Sequence, residues 1–278
     1  MHVDIANGCR LLQLFVNVGK SVLQQGLLGG SHSTTFGRVA AQVFGTLRSF
    51  APWIQSKLSA ASSEMTATLT NIIELVIGVL TFPKLVRAAT DIIRVTNRSG
   101  KTSLVGQSAS ILLGTLGKVL PLMQLPQIQT FVKQVPQLLL SLKQPIQIEL
   151  CGAILTTLLV PVGDAKQVNW EERMQQTMAV FQSTLFDPYV AVVAAPDFVQ
   201  SGRFSSPEVL AQVKHITCLT STMFQRCFSL EKRTKQIFFQ TSQKVIQVTL
   251  SLFKPYLQYP GRIRFFSTLN LSLTLKMQ

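Results

Sequence analysis

A lysine within a short glycine- and hydroxyl-rich run is the pattern in this sequence that most resembles a phosphate-binding site. The run is Ser99-Gly100-Lys101-Thr102-Ser103, and it resembles the end of a loop whose backbone amides hold nucleotide phosphates. Such a loop needs a glycine five residues before the Gly-Lys pair and a strand in front of it. Val95 occupies the glycine position, and Asp91 to Val95 has a helical pattern. The run is better explained as a helix start with Thr102 or Ser103 as its N-cap.

The histidines and carboxylates are too scattered to predict catalysis or metal binding. His215 lies three residues before Cys218 in a predicted helix, so both can face one ion, but no second pair accompanies them. Glu171-Glu172 stands at a predicted helix start, where carboxylates stabilise the positive end of the helix dipole. Asp187 and Asp197 each adjoin a proline and are interpreted as turn residues. We therefore predict no catalytic, cofactor-binding or metal-binding residue, and a protein that is not an enzyme.

Basic residues beside phenylalanines form the strongest candidate contact site. The basic residues are Lys232, Arg233, Lys235, Arg262 and Arg264, and the phenylalanines are Phe238, Phe239, Phe265 and Phe266. Such residues can contact phosphates and stack on bases, but the phenylalanines fit the apolar stripe and are interpreted as core. The five basic residues remain candidate partner contacts. If the two helices form a hairpin, the basic pairs lie near opposite ends, so a single patch would need a neighbouring repeat.

The positive charge is spread along the chain rather than gathered in a tail. The 278 residues carry 26 basic and 12 acidic side chains, a formal charge of +14. Residues 1–139 contribute 12 against 4, and residues 140–278 contribute 14 against 8. Diffuse positive charge favours nucleic acid, an anionic membrane or an acidic protein surface; a basic face with no dedicated ligand is the alternative. A hydrophobic content of 47% excludes global disorder.

The cysteines and apolar runs predict a soluble protein in a reducing compartment. The four cysteines lie far apart without metal-ligand spacing, and they are interpreted as buried, reduced thiols: Cys9, Cys151, Cys218 and Cys227. The start of the chain lacks the pattern of a secretory signal. The longest apolar runs, Ile72 to Leu80 with Glu74 inside it and Ala153 to Val162, are too short for a membrane span.

Residues 231–277 contain the clearest two-helix unit. Apolar side chains recur there at helical spacing, at Ile237, Phe238, Val245, Val248, Leu252 and Phe253. The intervening polar residues can stay in water: Lys235, Gln236, Gln243, Lys244 and Gln247. Pro255 and the Tyr-Pro-Gly turn at 259–261 end this helix before a second one begins. Neither helix can bury its stripe alone, which favours stacking of successive pairs.

The rest of the chain shows the same helical spacing of apolar residues. Helices are predicted at 8–28, 36–48, up to Phe82, at 84–95, 102–119, 127–142, 146–159, 168–186 and 208–228, with a kink at Pro136 and a start at Ser206-Pro207-Glu208. Residues 29–35 and 59–63 are predicted loops or turns. Residues 187–207 are predicted to be an inserted loop or a short helix with extended flanks, and Tyr189 to Val193 is the best strand candidate. We predict a single all-α segment over 1–278, a solenoid of HEAT- or armadillo-like helical hairpins, with a compact helical bundle as the alternative.

Two segments resemble a known family. LVGQSASILLGTLGKVLPLMQLPQIQTFVKQVPQLLLSLKQPIQIELCGAILTTLLVP, from Leu104 to Pro161, and the final TKQIFFQTSQKVIQVTLSLFKPYLQYPGRIRFFSTLNLSLTLKMQ resemble the central to C-terminal HEAT region of the exportins of the importin-β family. The resemblance is to receptors that export actin with profilin. It implies that the chain is a fragment of a longer receptor, located in nucleus and cytoplasm. The partners that it implies are GTP-bound Ran, profilin–actin as cargo and nuclear pore proteins.

Two other classes of function remain open. A helical-repeat scaffold would assemble proteins without transport and would have no reason to bind cargo only with GTP-bound Ran. A nucleic-acid-binding helical repeat is favoured only by the positive charge. We expect the export receptor, with positive faces attracting acidic partners such as actin in a salt-dependent manner.

Overall fold

The computed structural model of this chain is predominantly helical over the residues that it describes. The described residues are 2–27, 33–57, 63–81, 95–96, 102–103, 105–120, 122–142, 144–159, 168–198, 201–203, 206–227 and nine positions between 236 and 251. The helices are α1 (His2–Leu27), α2 (Ser33–Ser49), α3 (Ala51–Lys57), α4 (Ser63–Thr81), α5 (Val105–Val119), α6 (Pro126–Ser141), α7 (Gln144–Leu159), α8 (Val168–Phe181), α9 (Asp187–Val193) and α10 (Pro207–Cys227). A 3₁₀ turn covers Leu122–Gln124, and a π-helical turn covers Gln182–Phe186.

The predicted all-α class is confirmed, and most helix bounds agree with the sequence. Helix α1 begins at His2 rather than at residue 8, and α2 begins at Ser33, inside the predicted loop 29–35. Pro136 lies inside α6, as predicted. Helix α10 begins at Pro207, where the backbone N–H of Val209 donates a hydrogen bond of 3.3 Å to the Ser206 hydroxyl. This is the serine cap that the sequence predicts.

A two-residue strand pair replaces the predicted helix start near the phosphate-loop-like run. Strands β1 (Val95–Thr96) and β2 (Thr102–Ser103) are antiparallel, with Val95 opposite Ser103. The prediction of helix at Val95 is therefore wrong, and so is the N-cap at Thr102 or Ser103, because the helix begins at Val105. Residues 84–94 of the predicted helix, and the run Ser99 to Lys101, lie outside the described residues.

The strand candidate Tyr189 to Val193 is wrong, because these residues form helix α9. The chain passes from α8 through the π turn directly into α9, and the backbone N–H of Asp187 donates to the carbonyl of Gln182. Pro188 suits a first helical turn because its φ is already helical. Tyr189 and Val193 are buried one turn apart, so burial overrides the strand preference of aromatic and β-branched side chains. Of the two predictions for 187–207, the short helix is the one observed.

The described chain divides into two compact units, residues 1–174 and 175–278. In the first unit, contacts show how α1 runs relative to α2, α3 and α4. Gly19 contacts Val43 and Gly8 contacts Trp53, so α1 runs antiparallel to α2 and α3. Cys9 contacts Met65, and Gln13 accepts a hydrogen bond of 2.9 Å from Asn71, so α1 and α4 run parallel.

The same parallel relationship recurs between α5 and α7. Contacts pair Gly106 with Ile146, Gly114 with Ala153 and Gly117 with Thr157. Helix α5 also packs on α2 and α4, and α4 packs on α6. Equivalent helices of successive hairpins run parallel in a helical solenoid, so this arrangement favours the predicted repeat. The HEAT-like repeat itself stays a prediction.

Glycines allow α5 and α7 to approach backbone to backbone. A Cβ atom on Gly114 would lie 3.1 Å from the Ala153 Cα, and one on Gly117 would lie 3.1 Å from the Thr157 Cα. All residues from Leu150 to Leu158 are buried, so this part of α7 is enclosed on every side. Its two threonine hydroxyls donate to carbonyls one turn earlier, Thr156 to Gly152 at 2.7 Å and Thr157 to Ala153 at 2.8 Å. The helix thus buries polar groups without leaving them unpaired.

Helix α4 is long and apolar enough to cross a membrane by length and composition alone. It has 19 residues, so the prediction that the run around Ile72 to Leu80 is too short for a span is wrong. Half of the apolar window is buried inside the protein, including Ile72, Val76 and Val79. A core helix of this kind satisfies the same criteria, and packing of α4 against α1, α5 and α6 accounts for its composition.

The first testable prediction concerns the glycine contact. We expect Gly117→Ala to lower the free energy of unfolding by about 1–3 kcal/mol. The added methyl would lie 2.6 Å from the Thr157 hydroxyl oxygen, and that hydroxyl cannot move without losing its buried hydrogen bond. Urea unfolding followed by far-UV circular dichroism measures the change.

Gly78 offers the matched control in a helix interior. A Cβ there meets nothing within 4 Å, so Gly78→Ala should stabilise α4 by about 0.5–1 kcal/mol through its helix preference. Equal effects of the two substitutions would contradict the close approach of α5 and α7.

Candidate protein-interaction surface

The five basic residues chosen from the sequence all lie outside the described residues. They are Lys232, Arg233, Lys235, Arg262 and Arg264, and they stay predicted partner contacts. Between them in the chain, the nine described positions from Gln236 to Ser251 are all helical. This confirms, for those positions, the helix predicted from the apolar period.

Two rows of side chains lie side by side on this helix. One row is amide-bearing: Gln236, Gln240, Gln243 and Gln247 follow intervals of four, three and four, the spacing of one helical face. The adjacent row is apolar and consists of Phe239, Ile246 and Leu250. All of these residues except Leu250 line one pocket of about 280 Å³. We call these seven residues the glutamine–phenylalanine surface.

Phe239 corrects the prediction that the phenylalanines of this helix are core residues. Its side chain is 51% exposed, although one edge packs against Phe224, with ring centroids 5.0 Å apart and planes at 60°. Phe238, Phe265 and Phe266 lie outside the described residues.

The glutamine–phenylalanine surface has the chemistry of recognition rather than of proton transfer. A glutamine amide both donates and accepts hydrogen bonds, so a row of them can pair with the peptide groups of a bound chain. The aromatic ring offers a large apolar contact, the kind of anchor that dominates binding free energies. Of the lining residues that the structure describes, none is ionisable. The sequence reveals the glutamine spacing but not the exposure of the apolar row beside it.

The carboxylates identified from the sequence are dispersed in the structure. Glu171 and Glu172 are the fourth and fifth residues of α8, and their stabilisation of the helix start stays a prediction. Asp187 lies in the first turn of α9 and accepts a hydrogen bond of 2.7 Å from the Gln182 amide, so its assignment to a turn is wrong. Asp197 does lie in a turn. Across the described ranges, His, Cys, Asp and Glu form no group of three or more that could hold a metal ion.

The cysteines differ in exposure, which corrects the prediction that all four are buried. Cys9 and Cys151 are buried free thiols, whereas Cys218 is an exposed free thiol on α10. Burial raises the pKa of both the Cys9 and the Cys151 thiols. Nothing is described of the Cys227 side chain. The buried thiols are therefore packing residues, and Cys218 is the accessible one.

His215 does not share the exposed surface with Cys218. The histidine is half-buried, its Nδ1 atom has no hydrogen-bond partner among the described groups, and burial lowers the pKa of its imidazole. A neutral, apolar environment favours the uncharged ring. The His215–Cys218 pair is thus one half-buried and one exposed side chain, on a helix that packs against α9.

Comparison with known proteins finds one similarity that bears on function. The chain is 23% identical over 172 residues to Exportin-6 of Dictyostelium discoideum, which covers 61% of this chain and 16% of that protein. No protein family model matches the chain, and no solved structure matches it. The similarity and the fold together support an exportin-like helical protein, which agrees with the resemblance inferred from the sequence.

Thiol reactivity tests the burial of the cysteines. We expect iodoacetamide to modify Cys218 in the folded chain at least about ten times faster than Cys9 or Cys151, because only exposed thiolates react readily. Peptide mapping by mass spectrometry measures each rate. In urea the three rates should converge, and Cys218→Ser should leave the other two protected; rapid labelling of Cys9 or Cys151 without urea would contradict the packing described above.

Stability at mildly acid pH tests His215. The folded-state pKa of this histidine lies below its ordinary value of 6.5, so the unfolded chain binds more protons between those two values. The free energy of unfolding should therefore fall as the pH drops through 6.5 towards the folded-state pKa. Urea unfolding at pH 7.5 and pH 5.5 measures the fall.

The variant His215→Asn separates this contribution from that of the carboxylates. Asparagine does not titrate, so the variant should lose less stability on acidification than the parent chain. Identical losses in the two proteins would show that His215 titrates normally in the folded state.

Proposed function

We propose that this chain is a segment of an exportin-like nuclear export receptor that binds protein cargo together with GTP-bound Ran and performs no chemistry of its own. The observation that carries the proposal is the similarity to Exportin-6 over 172 residues. The chain spans 16% of the length of that relative, so cargo, Ran and pore binding belong to the proposal. Profilin–actin is the proposed cargo, from the family resemblance of the sequence, and nucleus and cytoplasm are the proposed locations.

The glutamine–phenylalanine surface is our proposed cargo contact in this segment. Phe239 is half-exposed and already held on one edge by Phe224, so little side-chain entropy is lost when a partner covers it. The neighbouring glutamines supply donors and acceptors around this anchor. An apolar anchor within a polar rim is the usual anatomy of a protein–protein contact.

Charge has a separate part in the proposal. The five basic residues at 232, 233, 235, 262 and 264 flank the described helix in the sequence, and Lys244 on that helix is exposed. Positive charge raises the rate of encounter with an acidic partner such as actin, and salt screens this effect. Cargo binding should therefore combine a salt-independent contact with a salt-dependent association rate.

A helical-repeat scaffold is the second candidate function, and the glutamine–phenylalanine surface fits it equally well. The two candidates differ in their dependence on Ran, because a scaffold has no reason to bind only with the GTP form. Direct binding of nucleic acid is the third candidate. Persistence of every partner after nuclease treatment would argue against it.

The test is retention of purified profilin–actin by the immobilised 278-residue chain. We expect retention with GTP-loaded Ran and little with GDP-loaded Ran, at low and at physiological salt. The variant Phe239→Ala should reduce retention about ten-fold, as is usual for an aromatic anchor. The matched control is Leu140→Ala, which truncates an exposed apolar side chain on α6 and should leave retention unchanged.

Charge reversal at the basic residues completes the experiment. Replacement of Lys232, Arg233, Lys235, Arg262 and Arg264 by glutamate should slow association and flatten its salt dependence. Unchanged kinetics would remove these residues as partner contacts. Equal retention with GTP- and GDP-loaded Ran would favour the scaffold, and no retention by a helical, monodisperse chain would overturn profilin–actin as the cargo.

A further inference from the structure

Helix α1 carries a second apolar row that the protein core does not use. Leu11, Leu14 and Val18 are 42%, 57% and 37% exposed. Their spacing of three and four places them along one narrow line of the helix. The core side of α1 is instead formed by Ile5, Cys9, Leu12 and Val16, all buried. We call Leu11, Leu14 and Val18 the α1 row.

An aromatic cluster stands along one side of the α1 row. Phe15 follows Leu14 directly and packs against Phe50, with ring centroids 6.2 Å apart. Phe50 in turn meets the edge of Trp53 at 6.5 Å, and Trp53 covers Gly8 on α1. All three aromatic residues are half-buried. The cluster packs α1 against α2 and α3, so the helix that carries the row is held in place by its neighbours.

The spacing of the α1 row is that of a helix–helix seam. Intervals of three and four correspond to the a, d and a positions of a heptad. Asn7 and Ser21, the next positions in the same register, are polar and exposed, so the seam is limited to about two turns. Three side chains in this register fit the apolar stripe of one partner helix better than an extended peptide, which alternates with a period of two.

The electrical charge around the row selects the kind of partner. Helices α1–α3 contain five basic residues, Arg10, Lys20, Arg38, Arg48 and Lys57. Their one carboxylate is Asp4, which is already engaged by Lys57 at 2.9 Å; the hydrogen bond and charge of Lys57 lower the pKa of Asp4. Arg10 is exposed and lies one turn before Leu14. Helix α4 carries Glu64 and Glu74, but it packs on another side of α1, through Cys9 and Gln13.

We propose that the α1 row is a docking site for an amphipathic helix of another protein, one whose leucine-like stripe is flanked by carboxylates. The partner's apolar side chains pack on Leu11, Leu14 and Val18, and its carboxylates face Arg10. A second copy of this chain is disfavoured because it would bring two basic surfaces together. A membrane is disfavoured because the row is narrow and its side chains are half-covered, whereas an interfacial helix buries a broad face in lipid.

This inference does not rest on the proposed export function. It concerns α1–α3 in the first unit, whereas the proposed cargo contact lies on the helix around Phe239 in the second. A chain that fails to bind profilin–actin can still bind an acidic helix, and the reverse also holds. The two proposals therefore fail independently.

The test uses a fluorescently labelled designed helix of about three heptads, with leucine at a and d and glutamate at e and g. Fluorescence anisotropy measures its binding to the full chain at low and at physiological salt. We expect saturable binding that weakens with salt. A helix with the same leucines but lysine at e and g should bind at least about ten-fold more weakly, because it is repelled by Arg10 and by the net positive charge of α1–α3.

Variants locate the binding on the α1 row. The double substitution Leu11→Gln and Leu14→Gln should abolish binding of the glutamate helix, and Arg10→Gln should weaken it and reduce its salt dependence. Leu140→Gln is the matched control on another exposed leucine and should change nothing. Far-UV circular dichroism verifies that each variant is folded as the parent is.

Four results would overturn the proposal. These are no binding of the glutamate helix, equal binding of the lysine helix, equal binding to the doubly substituted folded chain, or a different occupant. The occupant would be lipid if the chain floats with anionic phosphatidylserine vesicles and the double variant does not. It would be a second copy if sedimentation velocity shows a dimer that the double variant loses.

Discussion

The backbone contact between α5 and α7 is the constraint on which the first unit depends. Gly114 and Gly117 let the backbones of α5 and α7 approach closely. A Cβ atom added to either glycine would lie 3.1 Å from a Cα atom of α7. At that separation α7 can be covered on every side, and its residues from Leu150 to Leu158 are all buried. Because α5 also packs on α2 and α4, the same contact fixes where the α1 side of the unit can lie. Larger side chains at the two glycines would move each of these helices.

Regular packing of this kind leaves some apolar side chains without a place in the core. A helix that contacts neighbours on one side buries a stripe of limited width, and α1 has apolar residues on a second line beyond that stripe. The helix around Phe239 shows the same excess, with Leu250 exposed in the same row. Exposed apolar rows beside polar or basic residues are typical of surfaces that bind other proteins. The two rows thus follow from the architecture, and each carries its own chemistry for recognition.

The sequence predicts those features that depend on neighbours in the chain and fails where distant packing decides. Pro126 and Pro207 mark the starts of α6 and α10, since proline suits a first turn wherever the helix later packs. Tyr189 to Val193 misleads because its residue types favour strands, whereas its buried residues are spaced as on one face of a helix. Cys218 and Phe239 mislead for a related reason: periodicity shows which residues share a face, but not which face is covered. From the sequence alone, the glycines of α5 indicate only a weak helix; the structure shows that they allow α7 to pack closely.

The two candidate surfaces should respond differently to their surroundings because they use different forces. Glutamine amides and a phenylalanine ring bind through hydrogen bonds and apolar contact, and neither depends strongly on ionic strength. On helices α1–α3, five basic residues and one carboxylate, which is already paired, make binding depend on charge, within a screening length of about 8 Å at physiological salt. A partner at the first surface is selected by shape and backbone hydrogen bonds, whereas a partner at the second is selected by the sign of its charge. The two proposed contacts therefore would not compete for the same interaction.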